Sequence, residues 1–214
     1  MKVVAFVPIR LNSKRVVGKN LKLLGNKPLL TYIFDTLASV KGIDKIYAFC
    51  SSEEIIRFLP NGIDFLKRDS RLDQDETLGY EIYDAFIKAV DSDIYILAHT
   101  TSPFIEAGSL EKSLAKILSG EFDSALSVRR HQTFAWYKGK TLNYSLESVP
   151  RTQDIEPVFT ETSAFFIFDR ETWMKKRRRI GDKPYLYEVG LVEGIDIDNV
   201  EDFELAEILI PKMK

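Results

Sequence analysis

The chain has 214 residues, 45% hydrophobic and 29% charged, which suits one globular α/β domain and excludes a disordered chain. Its formal net charge of -2 argues against nucleic acid or an anionic membrane as a partner. The single cysteine, Cys50, excludes an intrachain disulfide and a thiolate metal cluster, and no apolar stretch approaches the roughly 18 residues of a membrane span, so we expect a cytoplasmic protein.

Strand and helix patterns alternate from the beginning of the chain. Residues 3–7 form a continuous apolar run, which is typical of a parallel strand covered on both faces. The next elements are predicted at residues 28–40 (helix), 43–49 (strand), 51–54 (start of a short helix) and 63–66 (strand). A further helix carries its apolar residues on one face, at Leu78, Ile82, Ala85, Phe86 and Ala89.

The alternation continues to residue 128 and predicts the fold class. Residues 93–98 and 124–128 are predicted as strands, and a helix between them is marked by Leu110, Leu114, Ile117 and Leu118. This βαβαβ order favours a Rossmann-like, mostly parallel sheet with helices on both faces. Ligands bind such sheets beyond the carboxyl ends of the strands, so the site is expected in the loops at 8–20, 68–77, 99–105 and 194–199.

The pattern changes after residue 128. A hairpin is predicted over 133–146 with its turn at 138–140, inside an inserted lobe of about residues 129–160. A strand is expected over 164–168, and Asn199 with Asp202 resembles a capping box that begins a final helix. We interpret residues 1–214 as a single domain.

The loop after the first strand is strongly basic. It places three cations, Arg10, Lys14 and Lys19, among Asn12, Ser13 and Asn20. A triphosphate needs such a cluster of charges and hydrogen-bond donors, although the spacing fits neither a Walker loop nor the G-x-G-x-x-G pattern. From chemistry alone, a solvated basic loop is the alternative interpretation.

A second candidate cluster is the pair Asp196 and Asp198. If this segment is a strand, alternate residues face the same way and both carboxylates approach one point. Such oxygen ligands suit Mg²⁺ or Mn²⁺. The alternative is an acidic turn that leads into the helix cap.

These blocks together resemble the acylneuraminate cytidylyltransferases, the CMP-sialic acid synthetases. The resemblance lies in R-x-N-S-K-x-x-x-x-K-N-L after the first strand, in Arg68 with Asp75, and in blocks at 99–103, 150–153, 161–167 and 196–198. The blocks occur in the family's order along nearly the whole chain. The resemblance implies a nucleotide-diphospho-sugar transferase-like fold and transfer of CMP from CTP to a sialic or legionaminic type of sugar acid.

The resemblance also implies roles for individual residues. Arg10, Lys14, Lys19, Asp196 and Asp198 would be catalytic, and the two aspartates would bind Mg²⁺ or Mn²⁺. The nucleotide would be bound by Val7, Pro8, Ile9, Arg10, Asn12, Ser13, Lys14, Lys19, Asn20, Arg68 and Asp75. The sugar acid would be bound by His99, Thr101, Ser102, Arg151, Gln153, Glu161, Tyr185 and Tyr187. The hairpin implies a homodimer, with Arg151 reaching the acid's carboxylate across the interface.

Three sites depart from the family's pattern. His99 stands where the family has Gln and Thr100 where it has Pro, Thr162-Ser163 stand where it has Asn-Gly, and Gly79 stands where it often has Ser. These changes touch the sugar side, so two alternatives stay open. One is a related transferase that uses another nucleotide or sugar, such as Kdo or a sugar phosphate; the other is a non-catalytic nucleotide-binding module.

Two further features have plain structural interpretations. The basic run at 175–179 is expected to be a solvated face rather than a nucleic-acid site, because the total charge is balanced and no aromatic residues interrupt it. Tyr185 and Tyr187 alternate in a predicted strand, where core or interface packing competes with a role as a wall of the sugar site.

Overall fold

The computed structural model describes residues 1–210; residues 211–214, the end of the predicted domain, lie outside the described part. The strands are β1 (Val3–Ile9), β2 (Leu23–Leu24), β3 (Lys27–Pro28), β4 (Lys45–Cys50), β5 (Ile63–Lys67), β6 (Ile94–Ala98), β7 (Ser124–His131), β8 (Trp136–Tyr137), β9 (Lys140–Thr141), β10 (Val158–Asp169) and β11 (Pro184–Glu188). The helices are α1 (Leu29–Ser39), α2 (Gly79–Ala89), α3 (Ala107–Leu118), α4 (Arg170–Lys176) and α5 (Val200–Leu209).

Seven strands form one sheet in the order β11-β7-β10-β6-β1-β4-β5. All neighbouring pairs are parallel except those of β10, which runs antiparallel to both β6 and β7. The predicted Rossmann-like, mostly parallel sheet is therefore confirmed. The parallel strands β1, β4, β5 and β6 end at the same edge, which is where a ligand site is expected.

Helices cover both faces of the sheet, as predicted. The odd-numbered residues of β1, from Val3 to Ile9, pack with α1 and α3, whereas Val4 and Phe6 pack with α2 and α4 on the opposite face. Phe6 stacks on Phe86 of α2 with ring centroids 4.1 Å apart. This double burial explains why β1 is a continuous apolar run.

The prediction of which α2 residues face the core is partly wrong. Ile82, Ala85 and Phe86 pack against the core, but Leu78 precedes the helix and is 58% exposed, and Ala89 is also exposed. Tyr83 and Ile87 take their places, because the helix is rotated slightly from the orientation that the spacing favoured. The short helix after residue 51 is confirmed as a 3-10 turn over Glu53–Phe58, capped by Ser52.

The segment 132–157, here called the lobe, contains the predicted hairpin. Strands β8 and β9 pair over two residues each, around a turn in which Lys138 and Gly139 both have positive φ, as in a type I′ hairpin. The ladder is much shorter than residues 133–146, and the lobe is shorter than 129–160, because β7 and β10 continue their pairing as far as His131 and Val158. Side-chain amides of Gln132 and Asn143 hold the lobe by bonding backbone carbonyls.

The capping box expected at Asn199 and Asp202 is confirmed at the start of α5, which packs against a third apolar cluster that includes Ile197. Cys50 is fully buried, and burial raises the pKa of its thiol. Among residues 1–210, no helix has both the length and the apolar character that a bilayer crossing requires.

Candidate active site

A cleft of about 370 Å³ opens where β1 and β6 end. Pro8 and Arg10 come from the end of β1, and His99 to Thr101 follow β6 directly. The expected loops 8–20, 68–77 and 99–105 therefore meet at one place. The lining residues are Pro8, Arg10, Ser13, Lys14, Arg15, Lys19, Asn20, Asp75, His99, Thr100 and Thr101.

The outer cations of the basic loop share one carboxylate. Arg10 lies 3.3 Å from Asp75, and Lys14 also forms an ion pair with it. The hydrogen bond and charge of Asp75 raise the pKa of Lys14, and Lys14 in turn lowers the pKa of Asp75. Both lysine and arginine remain substantially exposed, so an incoming anion can replace this carboxylate at little cost.

Lys19 and Asn20 lie deeper and tie the loop to the rest of the site. Lys19 is buried and donates to the carbonyl of Ile197 at 2.5 Å. The Asn20 amide donates to the Arg10 carbonyl at 2.7 Å, and its oxygen accepts from Thr100 Oγ1 at 2.6 Å. Burial lowers the pKa of Lys19, and the charges of Asp198 and Asp196 oppose that shift. Asn20 therefore stabilises the conformation of the basic loop, and only part of its hydrogen-bonding capacity remains for a ligand.

Asp196 and Asp198 do not lie in a strand, so the predicted reason for their alignment is wrong. Residues 195–198 have no regular secondary structure. The alternation survives because Ile197 is fully buried between the two partly buried aspartates, and its N–H donates to the Thr101 carbonyl at 2.8 Å. Both carboxylates face Lys19 closely enough to act on its charge.

The chemistry of this pair fits a hard divalent cation. Burial raises the pKa of Asp196, a hydrogen bond from Thr101 opposes the shift, and the Asp198 charge adds to it. Asp196 Oδ1 is buried with no hydrogen-bond partner among residues 1–210, and Asp198 pairs with Arg15 at 3.0 Å. Two carboxylates, one with an unused buried oxygen, suit Mg²⁺, which keeps several waters and binds substrate phosphates. The described residues contain no cluster of three or more acidic, His or Cys ligands.

Arg68 does not line the cleft. Its side chain is 2% exposed, and its guanidinium binds Asp73 through two nitrogens, one at 3.2 Å. Asn12 donates to the Asp73 carbonyl at 3.0 Å and also faces away from the cleft. These residues order the 68–77 loop against the basic loop, and their side chains do not line the cleft.

Several other predicted site residues also lie outside the cleft lining. The side chains of Val7 and Ile9 belong to the core, so only their backbone is available to a ligand. Ser102 is fully buried, and its hydroxyl has no partner within the described part of the chain. Tyr185 packs on Phe122 of the core with ring centroids 5.1 Å apart.

The remaining acceptor-side residues are divided between the lobe and the sheet. Arg151 is 74% exposed and pairs with Asp154 at 2.7 Å, and Gln153 is exposed beside it. Tyr187 packs near Phe165 in the sheet, so the strand that carries it is confirmed while contact with the cleft is not. Within one chain, the structure brings His99 and Thr101 to the cleft but leaves Arg151 and Gln153 outside it.

His99 occupies the wall of the cleft at the end of β6. Its Nδ1 lies 2.5 Å from the carbonyl oxygen of Ser163, which can only accept, so Nδ1 carries the proton. Burial lowers the pKa of His99 to about 4, with a smaller contribution from the charge of Arg179. The imidazole is therefore neutral near pH 7.

Ser163 itself lies in an irregular stretch of β10, between residues 161 and 166, and has a φ of 59°. This left-handed conformation is uncommon for a residue with a Cβ, and such irregularities often lie beside active sites. Thr162 anchors the stretch by donating to Ser127 Oγ at 2.7 Å.

Three relevant residues were missed at the sequence level. Arg15 lines the cleft between Lys14 and Lys19, and its position in the basic loop was a sufficient signal. Thr100 was noted only as a departure, yet it bonds Asn20. Arg179 was included in the solvated basic run, but its guanidinium lies 3.6 Å from the centroid of the buried Phe166 ring, which sequence spacing does not reveal.

Comparisons with known proteins agree with this geometry. A family model described as Cytidylyltransferase matches residues 4–209. An N-acylneuraminate cytidylyltransferase of Streptococcus agalactiae serotype III is 26% identical over 95% of this chain and 52% of its own length. A Helicobacter pylori protein named as a pseudaminic acid cytidylyltransferase and hydrolase is 22% identical over 98% of this chain and 43% of its own. The chain thus spans about half the length of the curated relatives it matches.

Solved structures support the fold. A CMP:2-keto-3-deoxy-manno-octonic acid synthetase in complex with CTP superposes with a TM-score of 0.74 at 16% identity, covering all of both chains. The 4-diphosphocytidyl-2C-methyl-D-erythritol synthase of Anaerococcus prevotii superposes with a TM-score of 0.68 at 14% identity, covering 98% of this chain and 96% of the other.

Proposed function

Because this chain belongs to the cytidylyltransferase family, we propose that it transfers CMP from CTP to a nonulosonic acid of the sialic or legionaminic type. The products are the CMP-sugar and pyrophosphate. The observation that carries this proposal is the cleft at the ends of β1 and β6, which four cations line, with the carboxylates of Asp196 and Asp198 close enough to one of them, Lys19, to act on its charge. The names of the curated relatives support the choice of nucleotide and of acceptor class.

The reaction is an in-line displacement at the α-phosphorus of CTP. The anomeric hydroxyl oxygen forms the new P–O bond, the bond to the bridging oxygen breaks, and pyrophosphate leaves while the hydroxyl proton passes to water. Arg10, Lys14 and Lys19 neutralise the charge that builds on the leaving group, and the rigid loop holds it in line. No side chain is assigned as a dedicated general base.

A divalent cation, Mg²⁺ or Mn²⁺, is the proposed cofactor. Asp196 and Asp198 would hold it, supported by the unpartnered buried oxygen of Asp196. When bound, the cation would neutralise the part of the phosphate charge that the lysines and arginines do not neutralise. Lys19 keeps the two carboxylates in place through its bond to the Ile197 carbonyl.

The lobe is the proposed surface of a homodimer. Five apolar side chains of the lobe are more than half exposed: Trp136, Tyr137, Leu142, Leu146 and Val149. Such a concentration of exposed apolar surface is typical of an interaction site. We also propose a reducing, cytoplasmic environment, which suits a single buried thiol.

The test of this function is pyrophosphate release in the presence of Mg²⁺. CTP is combined in turn with N-acetylneuraminic, legionaminic and pseudaminic acids and with Kdo, and GTP, UTP and ATP replace CTP as controls. We expect release that requires both CTP and one of the nonulosonic acids. Release with Kdo alone would favour the related transferase, a possibility that the substituted acceptor wall at His99 and Ser163 keeps relevant.

Substitution of the acidic pair separates an enzyme from a nucleotide-binding module. Asp196→Asn keeps the size of the side chain but removes its charge, so turnover should fall by at least about 100-fold, while CTP binding without metal changes little. Single-turnover product formation and calorimetric CTP binding provide the two measurements. Asp64→Asn, at an exposed carboxylate of the edge strand β5 that pairs with Lys45, is the control. Unchanged turnover in the Asp196 variant would remove this residue from the mechanism.

A further inference from the structure

The cations that line the cleft pair with two different carboxylates. Arg10 and Lys14 both pair with Asp75. Arg15 pairs instead with Asp198, because one nitrogen of its guanidinium lies 3.0 Å from Oδ1 of that residue. The basic loop therefore contacts the proposed metal site through a residue that also lines the cleft.

The backbone at Arg15 is fixed close to this carboxylate. Residues 14–18 form consecutive turns, and Val16 is buried in the apolar cluster that also contains Ile197, the chain neighbour of Asp198. The Arg15 side chain itself is 66% exposed and has several rotatable bonds. Its guanidinium can therefore move between Asp198 and a ligand in the cleft by side-chain rotation, without movement of the loop.

The pair of Arg15 and Asp198 is easily exchanged for another. Asp198 is 49% exposed, and exposed ion pairs of this kind contribute little to stability. The charge of Arg15 also reaches Lys19, whose pKa it lowers, so two cations are crowded beside the acidic pair. A triphosphate in the cleft would offer Arg15 a second partner, because a guanidinium binds phosphate oxygens as it binds a carboxylate.

Arg15 and a divalent cation compete for Asp198. Both are positive charges that bind the same carboxylate, and at such short range they repel each other. Arg15 therefore opposes binding of the cation as long as it remains on Asp198. When Arg15 turns to the triphosphate, the carboxylate becomes available to the cation, and the same rotation adds one positive group to the phosphates.

We propose that Arg15 couples the two ligands by binding the triphosphate and, in the same rotation, releasing Asp198 to the divalent cation. This inference rests on the nucleotide and metal sites of the proposed function. Because binding free energies are linked, the nucleotide must strengthen binding of the cation by the same factor by which the cation strengthens binding of the nucleotide. Arg15 is thus a phosphate ligand that also sets the affinity for the metal.

The test measures each ligand in the absence of the other. Arg15→Gln should bind Mn²⁺ about two- to fivefold more tightly than the wild type without nucleotide, because the competing charge is gone. With a chelator present, the same variant should bind CTP about three- to tenfold more weakly, because one phosphate contact is lost. Electron paramagnetic resonance of free Mn²⁺ gives the first affinity, and calorimetry gives the second.

The matched control is Arg57→Gln. Arg57 is 67% exposed and pairs with Glu54 at 3.1 Å, and it does not line the cleft. Both affinities of this variant should equal those of the wild type. Arg15→Lys keeps a positive charge, so it should recover much of the CTP affinity and keep Mn²⁺ binding close to that of the wild type, which loss of structure would not explain.

The two binding measurements use no sugar acid, so their outcome is separate from that of the proposed function. An Mn²⁺ affinity that is no higher in Arg15→Gln than in the wild type would overturn the proposal, and so would an unchanged CTP affinity with chelator. If both shifts occur but the wild type and Arg57→Gln release no pyrophosphate with any acid, the proposed function fails and the coupling stands. Pyrophosphate release without the two shifts removes the coupling and leaves the function in place.

Discussion

His99 illustrates how surroundings decide the chemistry of a single residue. The imidazole is packed against Phe166 and fixed by the Ser163 carbonyl, and burial makes its protonation unfavourable. The same residue in a solvated loop would titrate close to neutral pH. Here it stays neutral and donates its Nδ1 proton to the Ser163 carbonyl, and its burial makes folding sensitive to acid.

We expect His99 to destabilise the protein as the pH falls from 6.5 toward 4. Its folded pKa is about 4 and its ordinary value is 6.5, so the unfolded chain takes up a proton in this window before the folded chain does. The free energy of unfolding should therefore fall with decreasing pH, by up to about 3 kcal/mol from this group, and be nearly unaffected above about pH 7.5.

The measurement is urea unfolding of the wild type and of His99→Gln at about pH 7.5, about pH 5.5 and about pH 4.5. The difference between the two proteins isolates His99 from the carboxylates that also titrate. The variant should lose less stability than the wild type on acidification. Parallel losses would mean that the imidazole is accessible to protons in the folded state.

The sequence identified which residue types matter but not which way each one faces. Arg10, Lys14 and Lys19 were predicted as ligands of an anion, and the structure places all three at the cleft. Arg68 was predicted there too, yet it lies buried against Asp73, five residues further along the chain. A cation that directly follows a strand end can turn to either side, and only packing decides between them.

The loop at residues 68–77 acts as a counter-charge for the basic loop. Asp75 on this element binds both Arg10 and Lys14, which the resemblance assigns to the triphosphate. The buried pair of Arg68 and Asp73 holds the base of the element in place. A bound triphosphate would compete with Asp75 for the same cations, so this carboxylate should weaken nucleotide binding.

Asp75→Asn should tighten CTP binding by roughly two- to fivefold at low salt, because exposed ion pairs of this kind contribute little. The gain should shrink at high salt, where the competing charge is screened. Isothermal titration with CTP at two salt concentrations measures both effects, and Asp64→Asn controls for removal of a distant carboxylate. Weaker binding by the Asp75 variant would indicate that Asp75 contacts the nucleotide directly, as the resemblance implies.

The helices and strands were predictable where one hydrophobic periodicity continued over many residues without interruption. The apolar run of β1 and the helical spacing of α1 and α3 led to the correct elements within a few residues. The antiparallel direction of β10 was not predictable, because strand order depends on contacts far apart in sequence. Residues 195–198 alternate as a strand does, yet they pair with no neighbouring strand and use a single bond to Thr101.

Across the whole molecule, the polar cleft and the apolar lobe lie on different parts of the chain. The residues that line the cleft lie at the end of β1 or in the loops after β1, β5 and β6, and the exposed aromatic and aliphatic side chains of the lobe are not among them. Nucleotide binding and self-association should therefore be separable by mutation.

Trp136→Glu combined with Leu146→Glu should convert the proposed dimer to a monomer, because two charges would be buried in an apolar interface. The CTP affinity should stay unchanged. Light scattering after gel filtration gives the mass, and calorimetry gives the affinity. Leu205→Glu, at a leucine of α5 that is 47% exposed and lies outside the lobe, is the control. A wild type that is monomeric at every concentration would exclude the lobe as a dimer interface.

Hydrogen bonds of Asn20, Lys19 and Ile197 link three loops at the base of the cleft. The Asn20 side chain bonds the Arg10 carbonyl and Thr100. The Ile197 N–H donates to the Thr101 carbonyl, and the Ile197 carbonyl accepts from Lys19, the chain neighbour of Asn20. Because the three loops share these hydrogen bonds, we expect them to move together and not as three independent hinges. The first ligand to bind one of these loops would bear the entropic cost of ordering all three. The second ligand would then bind loops that are already ordered. Under the proposed function, nucleotide and sugar would then bind cooperatively without a conformational change.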